Sequence, residues 1–398
     1  MTGDFRPLVV LPILLLAAGC SGAAPEGPAQ GTDPGRTTES VPAGLEEGWN
    51  RIRPGGGTTC ALGTEFSFFA RPGSEERLLV YFQGGGACWD ARTCDPEGDP
   101  TYAPDVDERD DPANRPTGIF DPDDPANPVR DHSMVMVPYC TADVHIGDAV
   151  RTYTVEEQGG AREVTIRHRG YANSMAALDW IRDNLPAPAE IIVAGSSAGS
   201  IPSPFYAGIL AERYPDARVT ALGDASGAYR RDPDGDSDPT DSWGTLEVLQ
   251  RHPGHEELQA GELGFEDLYI RAGTRHPDLR LLQFDSAWDA VQGFYLDLGT
   301  EGDSEIPELI AANREEIRAA VPGFRSYLAG GPEHTILWRP AFYSYEVDGH
   351  LFRDWFARAV AGEPLEDVKC DDCARPQVHL TETDVRVVKR ARELLAGP

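Results

Sequence analysis

Short apolar runs recur along the chain, and patterns of helical spacing separate them. Residues 173–185 and 206–214 carry apolar side chains three or four positions apart, as an amphipathic helix does. Alternation of strands and helices predicts an α/β fold with a mostly parallel sheet. The predicted strands, each followed by small or polar residues, are Leu78–Phe82, Ser133–Val137, Glu190–Ala194, Val219–Leu222 and Leu281–Phe284.

The first 44 residues have a different pattern. An apolar stretch from Leu8 to Ala18 is too short to span a bilayer and is typical of a signal peptide. It ends in Leu-Ala-Ala-Gly-Cys, which is similar to a bacterial lipobox in which Cys20 becomes lipidated. We predict a signal peptide over 1–19, a lipidated Cys20 with a flexible Pro- and Gly-rich tether over 20–44, and one large folded domain over 45–398. An ordinary secretory signal with an incidental Cys is the alternative.

The net charge of −31 narrows the set of partners. Such a surface repels phosphate backbones, so we expect no nucleic-acid partner. Salt adaptation and a genome that uses Arg for Lys both give an acidic, Lys-poor composition such as this one, and both interpretations stay open. The Asp-rich stretch 95–131 lacks the spacing of a calcium loop, which favours a solvated acidic surface over a metal site.

Six cysteines remain after Cys20, and an even number in an exported protein favours disulfides. Cys370 and Cys373 form a C-x-x-C that could be redox-active or half of a zinc site. No second pair and no thioredoxin-like pattern accompanies it, so a small structural loop is the preferred interpretation.

The segment Gly195-Ser196-Ser197-Ala198-Gly199 fits the nucleophile elbow G-x-S-x-G, which places Ser197 at the central position. This chemistry requires a Ser on a sharp strand-to-helix turn with small neighbours. A predicted strand precedes the motif and a helical pattern follows it, so the context supports an elbow that the motif alone would not establish.

Acyl transfer also requires N–H donors for the oxyanion of the tetrahedral intermediate. The amide of Ala198 supplies one donor. The loop Gln83-Gly84-Gly85-Gly86 follows a predicted strand, and the N–H groups of Gly85 and Gly86 could supply the others. A phosphate-binding loop is the alternative, but no Lys-Ser/Thr follows the glycines.

The order Ser, then Asp or Glu, then His is that of α/β hydrolases. Asp224, Asp285 and Asp289 follow predicted strands and are candidates for the acid. His334, in a Gly-Gly-Pro-Glu-His loop, is the preferred base, while His350 is typical of a turn. The other later histidines are His252, His255, His276 and His379.

Together these segments resemble the pectin acetylesterase and Notum-like carboxylesterase family, and in particular its bacterial lipoprotein branch. Asp143 and His145 also match a motif of the family, and we interpret them as structural. Gln83 is a departure, because many relatives carry Glu there. The matching segments are 82–89, 137–145, 195–199, 287–292 and 333–337.

The resemblance implies an α/β-hydrolase fold and ester hydrolysis without a metal or another cofactor. It implies a triad of Ser197, Asp289 and His334, with Gly85, Gly86 and Ala198 as oxyanion donors. It further implies the disulfides Cys88–Cys94 and Cys60–Cys140.

The residues around the predicted strand Leu281–Phe284 offer Asp285 as an alternative to Asp289 for the acid of the triad. Asp285 directly follows a predicted strand, where the acid of a hydrolase often lies. Only Asp289 fits the family pattern of an aromatic residue before the Asp and a Gln three positions after it. We therefore expect Asp285 to cap the following helix instead.

The sequence thus predicts an exported, lipid-anchored serine esterase of the cell envelope that removes acetyl or other short acyl groups from a small-molecule or glycan ester. Two alternatives are a non-catalytic binding lipoprotein on a hydrolase scaffold and an acyltransferase with the same triad. The sequence does not indicate an oligomeric state.

Overall fold

The computed structural model describes residues 44–374, except 99, 158–159, 186, 232–238 and 300–303. The described residues belong to one compact unit. The predicted signal peptide, Cys20, all but the last residue of the predicted tether, and His379 lie outside the described residues.

A large sheet of nine strands organises the described residues, in the order β1-β2-β4-β3-β7-β8-β9-β10-β13. Two hairpins, β5–β6 and β11–β12, stand apart from it. In chain order the strands are β1 (Asn50–Ile52), β2 (Phe68–Arg71), β3 (Ser74–Phe82), β4 (His132–Val137), β5 (Ala149–Glu157), β6 (Gly160–His168), β7 (Glu190–Ser196), β8 (Arg218–Asp224), β9 (Arg280–Ser286), β10 (Arg325–Ala329), β11 (Glu346–Val347), β12 (His350–Leu351) and β13 (Val368–Lys369).

Neighbouring strands from β4 to β13 are parallel, and β2 pairs antiparallel with both β1 and β4. The mostly parallel sheet confirms the predicted fold class. The five strands predicted from apolar runs are β3, β4, β7, β8 and β9, which lie next to one another in the sheet. The outer strands β1, β2, β10 and β13 and both hairpins were not predicted.

Helices connect the parallel strands. The patterns predicted over 173–185 and 206–214 correspond to α2 and α3, each of which begins three residues earlier. No helix within the described ranges is long and apolar enough to cross a membrane. The helices are α1 (Ala91–Cys94), α2 (Gly170–Asn184), α3 (Ser203–Arg213), α4 (Pro239–Trp243), α5 (Thr245–Leu249), α6 (Phe265–Arg275), α7 (Ala290–Gly299), α8 (Ile306–Ala320) and α9 (Phe352–Val360).

Both faces of the sheet are buried, as strand β3 illustrates. Leu78, Val80 and Phe82 pack in a cluster with side chains of α2, α3 and α6. Leu79 and Tyr81 point to the other face and pack in a cluster with side chains of α9. A strand covered on both sides needs apolar residues at every position, which explains the uninterrupted apolar runs in the sequence.

Three disulfides stabilise the loops around this sheet. Cys60–Cys140 links residues 80 apart, Cys88–Cys94 follows the glycine loop, and Cys370–Cys373 closes a short loop after β13. The first bond restricts the unfolded chain most, since closing a loop of that length contributes about 4.5 kcal/mol of stability in the chain-entropy account. Disulfides persist in oxidising compartments, so these bonds fit a protein outside the cytoplasm.

Candidate active site

The carboxyl ends of the parallel strands meet along one edge of the sheet, and the predicted site residues lie there. The glycine loop follows β3, Ser197 follows β7, Asp289 follows β9 and His334 follows β10. Strand order reverses beside β3, because β4 lies on one side of it and β7 on the other. In open α/β sheets such a reversal point is where ligands bind.

Ser197 lies on a strained turn between β7 and a short 3-10 helix, Ser197–Gly199. Its backbone φ is +56°, a left-handed conformation that is unfavourable for a non-glycine residue. The turn is so tight that a Cβ on Gly195 would lie 2.0 Å from the carbonyl oxygen of Gly199. Small neighbours are therefore a steric requirement of the elbow, and Ser197 stays partly exposed between the buried residues Ser196 and Ala198.

The glycine loop contacts this elbow directly. A Cβ on Gly84 would lie 2.7 Å from the Cβ of Ser197. The loop is held by backbone bonds from Ala103 N to Gly85 O (2.9 Å) and from Ala87 N to Thr101 O (3.3 Å). In the described part of the chain, the N–H groups of Gly85 and Gly86 make no backbone hydrogen bond.

The N–H group of Ala198 belongs to the first turn of the 3-10 helix, where backbone donors have no acceptor within the helix. The predicted oxyanion donors thus lie on the two segments that meet at Ser197. Such an arrangement can bind a negatively charged oxygen next to the Ser197 hydroxyl.

His145 forms a hydrogen bond with the first residue of the glycine loop, Gln83. Its Nε2 lies 2.8 Å from the carbonyl oxygen of Gln83. Burial lowers the pKa of His145 to about 4, so the ring is neutral at pH 7 and must carry its proton on Nε2 to donate this bond. Asp143 accepts bonds from the Thr141 hydroxyl at 2.6 Å and from Gly170 N at 2.7 Å. Both side chains bind protein groups, in keeping with their structural interpretation.

The base and acid candidates form a buried pair. His334 Nδ1 lies 2.8 Å from Oδ2 and 3.0 Å from Oδ1 of Asp289, and the Asp289 side chain is 0% exposed. Because an ionised carboxylate only accepts hydrogen bonds, the ring proton belongs on Nδ1. In this tautomer Nε2 of His334 carries no proton and can act as a base.

Asp289 also caps helix α7. Its Oδ1 accepts hydrogen bonds from the backbone N–H groups of Val291 (2.9 Å) and Gln292 (3.0 Å). The expectation that Asp285 caps this helix is therefore wrong. Strand β9 continues to Ser286, so Asp285 is still part of the sheet and lies opposite Leu328.

Asp285 instead belongs to a buried ion pair. Arg314 Nη2 donates to its Oδ2 at 2.8 Å, and Gly227 N donates to its Oδ1 at 2.7 Å. Burial raises the pKa of Asp285, and the adjacent Arg314 opposes that shift. The Nε2 group of Gln292 lies 3.2 Å from Asp285 Oδ1 and 3.0 Å from Asp289 Oδ2, so one amide links the two carboxylates.

Backbone hydrogen bonds join the loop of Asp289 to the loop of His334. They run from Ala287 N to Ala329 O (2.9 Å), from Trp288 N to Gly331 O (3.0 Å) and from Ala290 N to Pro332 O (3.1 Å). The two loops therefore behave as one unit, and the separation of acid and base is set by the backbone.

Asp224 has a role that sequence reasoning missed. Its carboxylate accepts from the Ser196 hydroxyl at 2.6 Å and from the N–H groups of Ile336 and Leu337, each at 3.0 Å. Burial raises the pKa of Asp224 to about 6, while these hydrogen bonds oppose the shift. Asp224 thus ties the elbow strand to the segment after His334, and its only signal in the sequence was its place at a strand end.

The other later histidines among the described residues have other surroundings. His252 bonds to the Tyr171 hydroxyl at 2.9 Å, His276 lies 3.7 Å from Glu212, and His350 is in β12. In the described part of the chain, no group of three or more His, Cys, Asp or Glu side chains is arranged to hold a metal ion.

The Asp285–Arg314 pair yields a stability prediction. Asp285→Asn leaves the buried guanidinium of Arg314 without its carboxylate, so we expect the free energy of unfolding to fall by about 3 to 5 kcal/mol. The folded fraction should retain its turnover, because Asn can still accept from Gln292. Urea unfolding of the purified variant measures the loss.

The control is the double variant Asp285→Asn/Arg314→Met, which removes the unpaired charge and should recover much of the loss. A loss of only about 1 kcal/mol in the single variant, the cost of a missing helix cap, would contradict the ion-pair assignment.

Comparison with known protein families gives one match. A family model described as Pectinacetylesterase matches residues 53–252, a stretch that includes the glycine loop and the elbow and ends before Asp289 and His334. No curated protein matches the chain. The family description supports a carboxylic ester hydrolase. Because the match extends over half of the 398 residues, this chain belongs to the pectinacetylesterase family.

Proposed function

We propose that the protein is an exported serine esterase that hydrolyses acetyl and other short-chain esters through an acyl-enzyme. The His334–Asp289 pair carries this proposal. It lies on the same sheet edge as the strained Ser197 and is tied through Asp224 to the elbow strand. A structural His–Asp pair would not account for a partly exposed serine on a strained turn, or for glycine N–H groups without a backbone hydrogen bond, at the same edge of the sheet in the described part of the chain.

In the acylation step the Ser197 hydroxyl attacks the ester carbonyl carbon. His334 Nε2 takes the hydroxyl proton, and Asp289 stabilises the resulting imidazolium through Nδ1. The carbonyl oxygen becomes an oxyanion that accepts hydrogen bonds from Gly85, Gly86 and Ala198, each donor being worth about 3 kcal/mol. The intermediate collapses, His334 gives its proton to the alcohol, and the acyl group remains on Ser197.

In the second step water replaces the alcohol. His334 removes a proton from the water as it attacks the acyl carbon, and the same amides bind the new oxyanion. The bond between the acyl carbon and Ser197 Oγ then breaks, His334 returns its proton to Ser197 Oγ, and the carboxylic acid leaves. None of these steps calls for a group beyond the side chains and amides named here.

The family description is the ground for proposing an acetyl or short acyl group, carried by a glycan or by a smaller alcohol. Export is proposed from the predicted signal peptide and is supported by the three disulfides. We further propose that a lipid on Cys20 anchors the enzyme to a membrane, as the lipobox-like sequence predicts.

Replacement of the nucleophile tests the mechanism. Ser197→Ala should lower kcat for acetyl esters by about 10⁶-fold, as for other triad nucleophiles. Asp289→Asn should lower it by about 10⁴-fold, because His334 loses its orientation and its charge partner. Asn can still cap α7, so both variants should keep the wild-type circular dichroism spectrum and Tm. Full acetyl-ester hydrolysis by the folded Ser197→Ala protein would refute the serine mechanism.

Acyl-chain preference is a separate prediction. With aryl esters of two to sixteen acyl carbons, we expect kcat/KM to be highest for acetyl and to fall with chain length. Acetylated polysaccharides belong in the same panel, and an added alcohol acceptor reports any acyltransferase activity through its ester product. A maximum at eight or more carbons would show a fatty-acyl pocket instead.

The anchor has its own test. Cys20→Ser removes the lipidation site, so the protein should move from the membrane fraction to the soluble exported fraction of its host. Wild-type protein that is wholly soluble outside the cell would disprove the anchor without affecting the esterase proposal.

A further inference from the structure

Every polar atom of Gln83, the residue before the three glycines, forms a hydrogen bond. Its backbone N donates to Val137 O at 3.0 Å, and its carbonyl oxygen accepts from His145 Nε2 at 2.8 Å. Its side-chain Oε1 accepts from Tyr139 N at 3.1 Å, and its Nε2 donates to Asp110 Oδ1 at 2.9 Å. The side chain thus joins the glycine loop to two other segments.

One of these segments is the acidic loop, residues 105–111, with the sequence Asp-Val-Asp-Glu-Arg-Asp-Asp. Within the described part of the chain, Asp110 is the one carboxylate of this loop that accepts a hydrogen bond from Gln83. The second oxygen of Asp110 accepts from Asp107 N at 2.7 Å, so both oxygens act as acceptors. An ionised Asp110 and a carboxamide at position 83 are therefore complementary.

Two charged neighbours in the same loop, Asp107 and Arg109, act on Asp110. Burial raises the pKa of Asp110, and the hydrogen bonds from Asp107 N and from the Gln83 side chain oppose that shift. The Asp107 carboxylate raises the pKa and Arg109 lowers it, both to a smaller extent. Arg51 of β1 donates to Val106 O at 3.2 Å, and its charge lowers the pKa of Asp107. His145, on the segment below, is neutral at pH 7.

Displacement of Gln83 would be transmitted to the oxyanion donors. Gly84 follows it directly and lies against Ser197 with no room for a Cβ, and Gly85 and Gly86 come next. A misplacement of about 1 Å in a catalytic group can cost about 100-fold in rate. The donors can hold a fixed position only if the residue before them is fixed.

We propose that Gln83 is a positioning residue, whose hydrogen bond to Asp110 holds the Gly85 and Gly86 amides in the geometry that binds the oxyanion. This inference rests on the proposed serine esterase function. It assigns the acidic loop an indirect part in catalysis, exerted through the Gln83 side chain.

The first variant of the test replaces the side-chain donor of residue 83 by an acceptor. Gln83→Glu keeps the shape and the bond from Tyr139 N but places a second carboxylate 2.9 Å from Asp110. Two carboxylates at that distance cannot both ionise, so the pair keeps a proton or separates. We expect kcat to fall by about 10- to 100-fold at pH 8.5 with little change in KM. The ratio of variant to wild-type kcat should recover as the pH falls and the two carboxyls come to share a proton.

The rescue variant is Gln83→Glu/Asp110→Asn, in which the amide and the carboxylate have changed places. It should return kcat to within about threefold of wild type and abolish the added pH dependence, the signature of a directly coupled pair. An aryl trifluoromethyl ketone, which forms a tetrahedral adduct on Ser197, should lose affinity in Gln83→Glu and regain it in the double variant. A purely structural role would change Tm but would leave kcat and ketone affinity unchanged well below Tm.

Wild-type kcat in folded Gln83→Glu at pH 8.5, or no rescue by Asp110→Asn, would overturn the inference. If Gln83→Glu does not fold, Asp110→Ala carries the test, since it removes the acceptor from an outer loop; unchanged kcat in that variant is the contrary result. Ser197→Ala is measured alongside. A wild type without Ser197-dependent hydrolysis would refute the proposed function itself, whereas an active wild type with an unaffected Gln83→Glu refutes only the positioning role.

Discussion

A buried carboxylate, that of Asp224, binds donors from two parts of the chain that are more than a hundred residues apart. The Ser196 hydroxyl comes from the elbow strand, and the N–H groups of Ile336 and Leu337 come from the segment after His334. A carboxylate in the interior is tolerated only when its oxygens are bonded, and a backbone N–H group left unbonded there costs about 1 to 3 kcal/mol. Neither segment can move without leaving polar groups unsatisfied. The position of His334 relative to Ser197 depends on this contact.

The three acidic residues at the strand ends differ in function because they differ in partners. Asp224 binds backbone amides and a hydroxyl, and Asp285 binds a guanidinium. Asp289 binds His334 and also accepts hydrogen bonds from N–H groups at the start of α7. All three side chains are fully buried, so burial alone does not distinguish them. Only the partner of Asp289 is a group that can take up and release a proton near neutral pH.

Strain is concentrated at the same edge of the sheet. Ser197 and Thr335, on either side of the Asp224 contact, have φ angles of +56° and +63°. Each such residue costs of the order of 1 to 3 kcal/mol and persists only where the surroundings determine the backbone. Here the parallel pairing of β7 with β8 and the bonds between the loops of Asp289 and His334 supply that constraint. The site is therefore preorganised by its backbone, and its side chains have little freedom left.

The sequence by itself determined the central strands, the helices α2 and α3, the elbow segment and the glycine loop, because these depend on local patterns. Uninterrupted apolar runs mark strands that are buried on both faces, and small residues mark turns where backbones approach closely. The outer strands β1, β2, β10 and β13 are two to five residues long and each contains a charged residue, so they lack the uninterrupted apolar run by which the central strands were predicted.

Only the tertiary structure decided the partners of the acidic residues. Asp285 and Asp289 are four positions apart and equally acidic in the sequence, yet the extension of β9 to Ser286 turns one towards Arg314 and leaves the other facing His334. The link from Gln83 to Asp110 and the link from Asp224 to Ile336 join residues 27 and 112 positions apart. Hydrogen bonds between such distant residues follow from how the loops pack on the sheet, and a sequence pattern of short range contains no information about that packing.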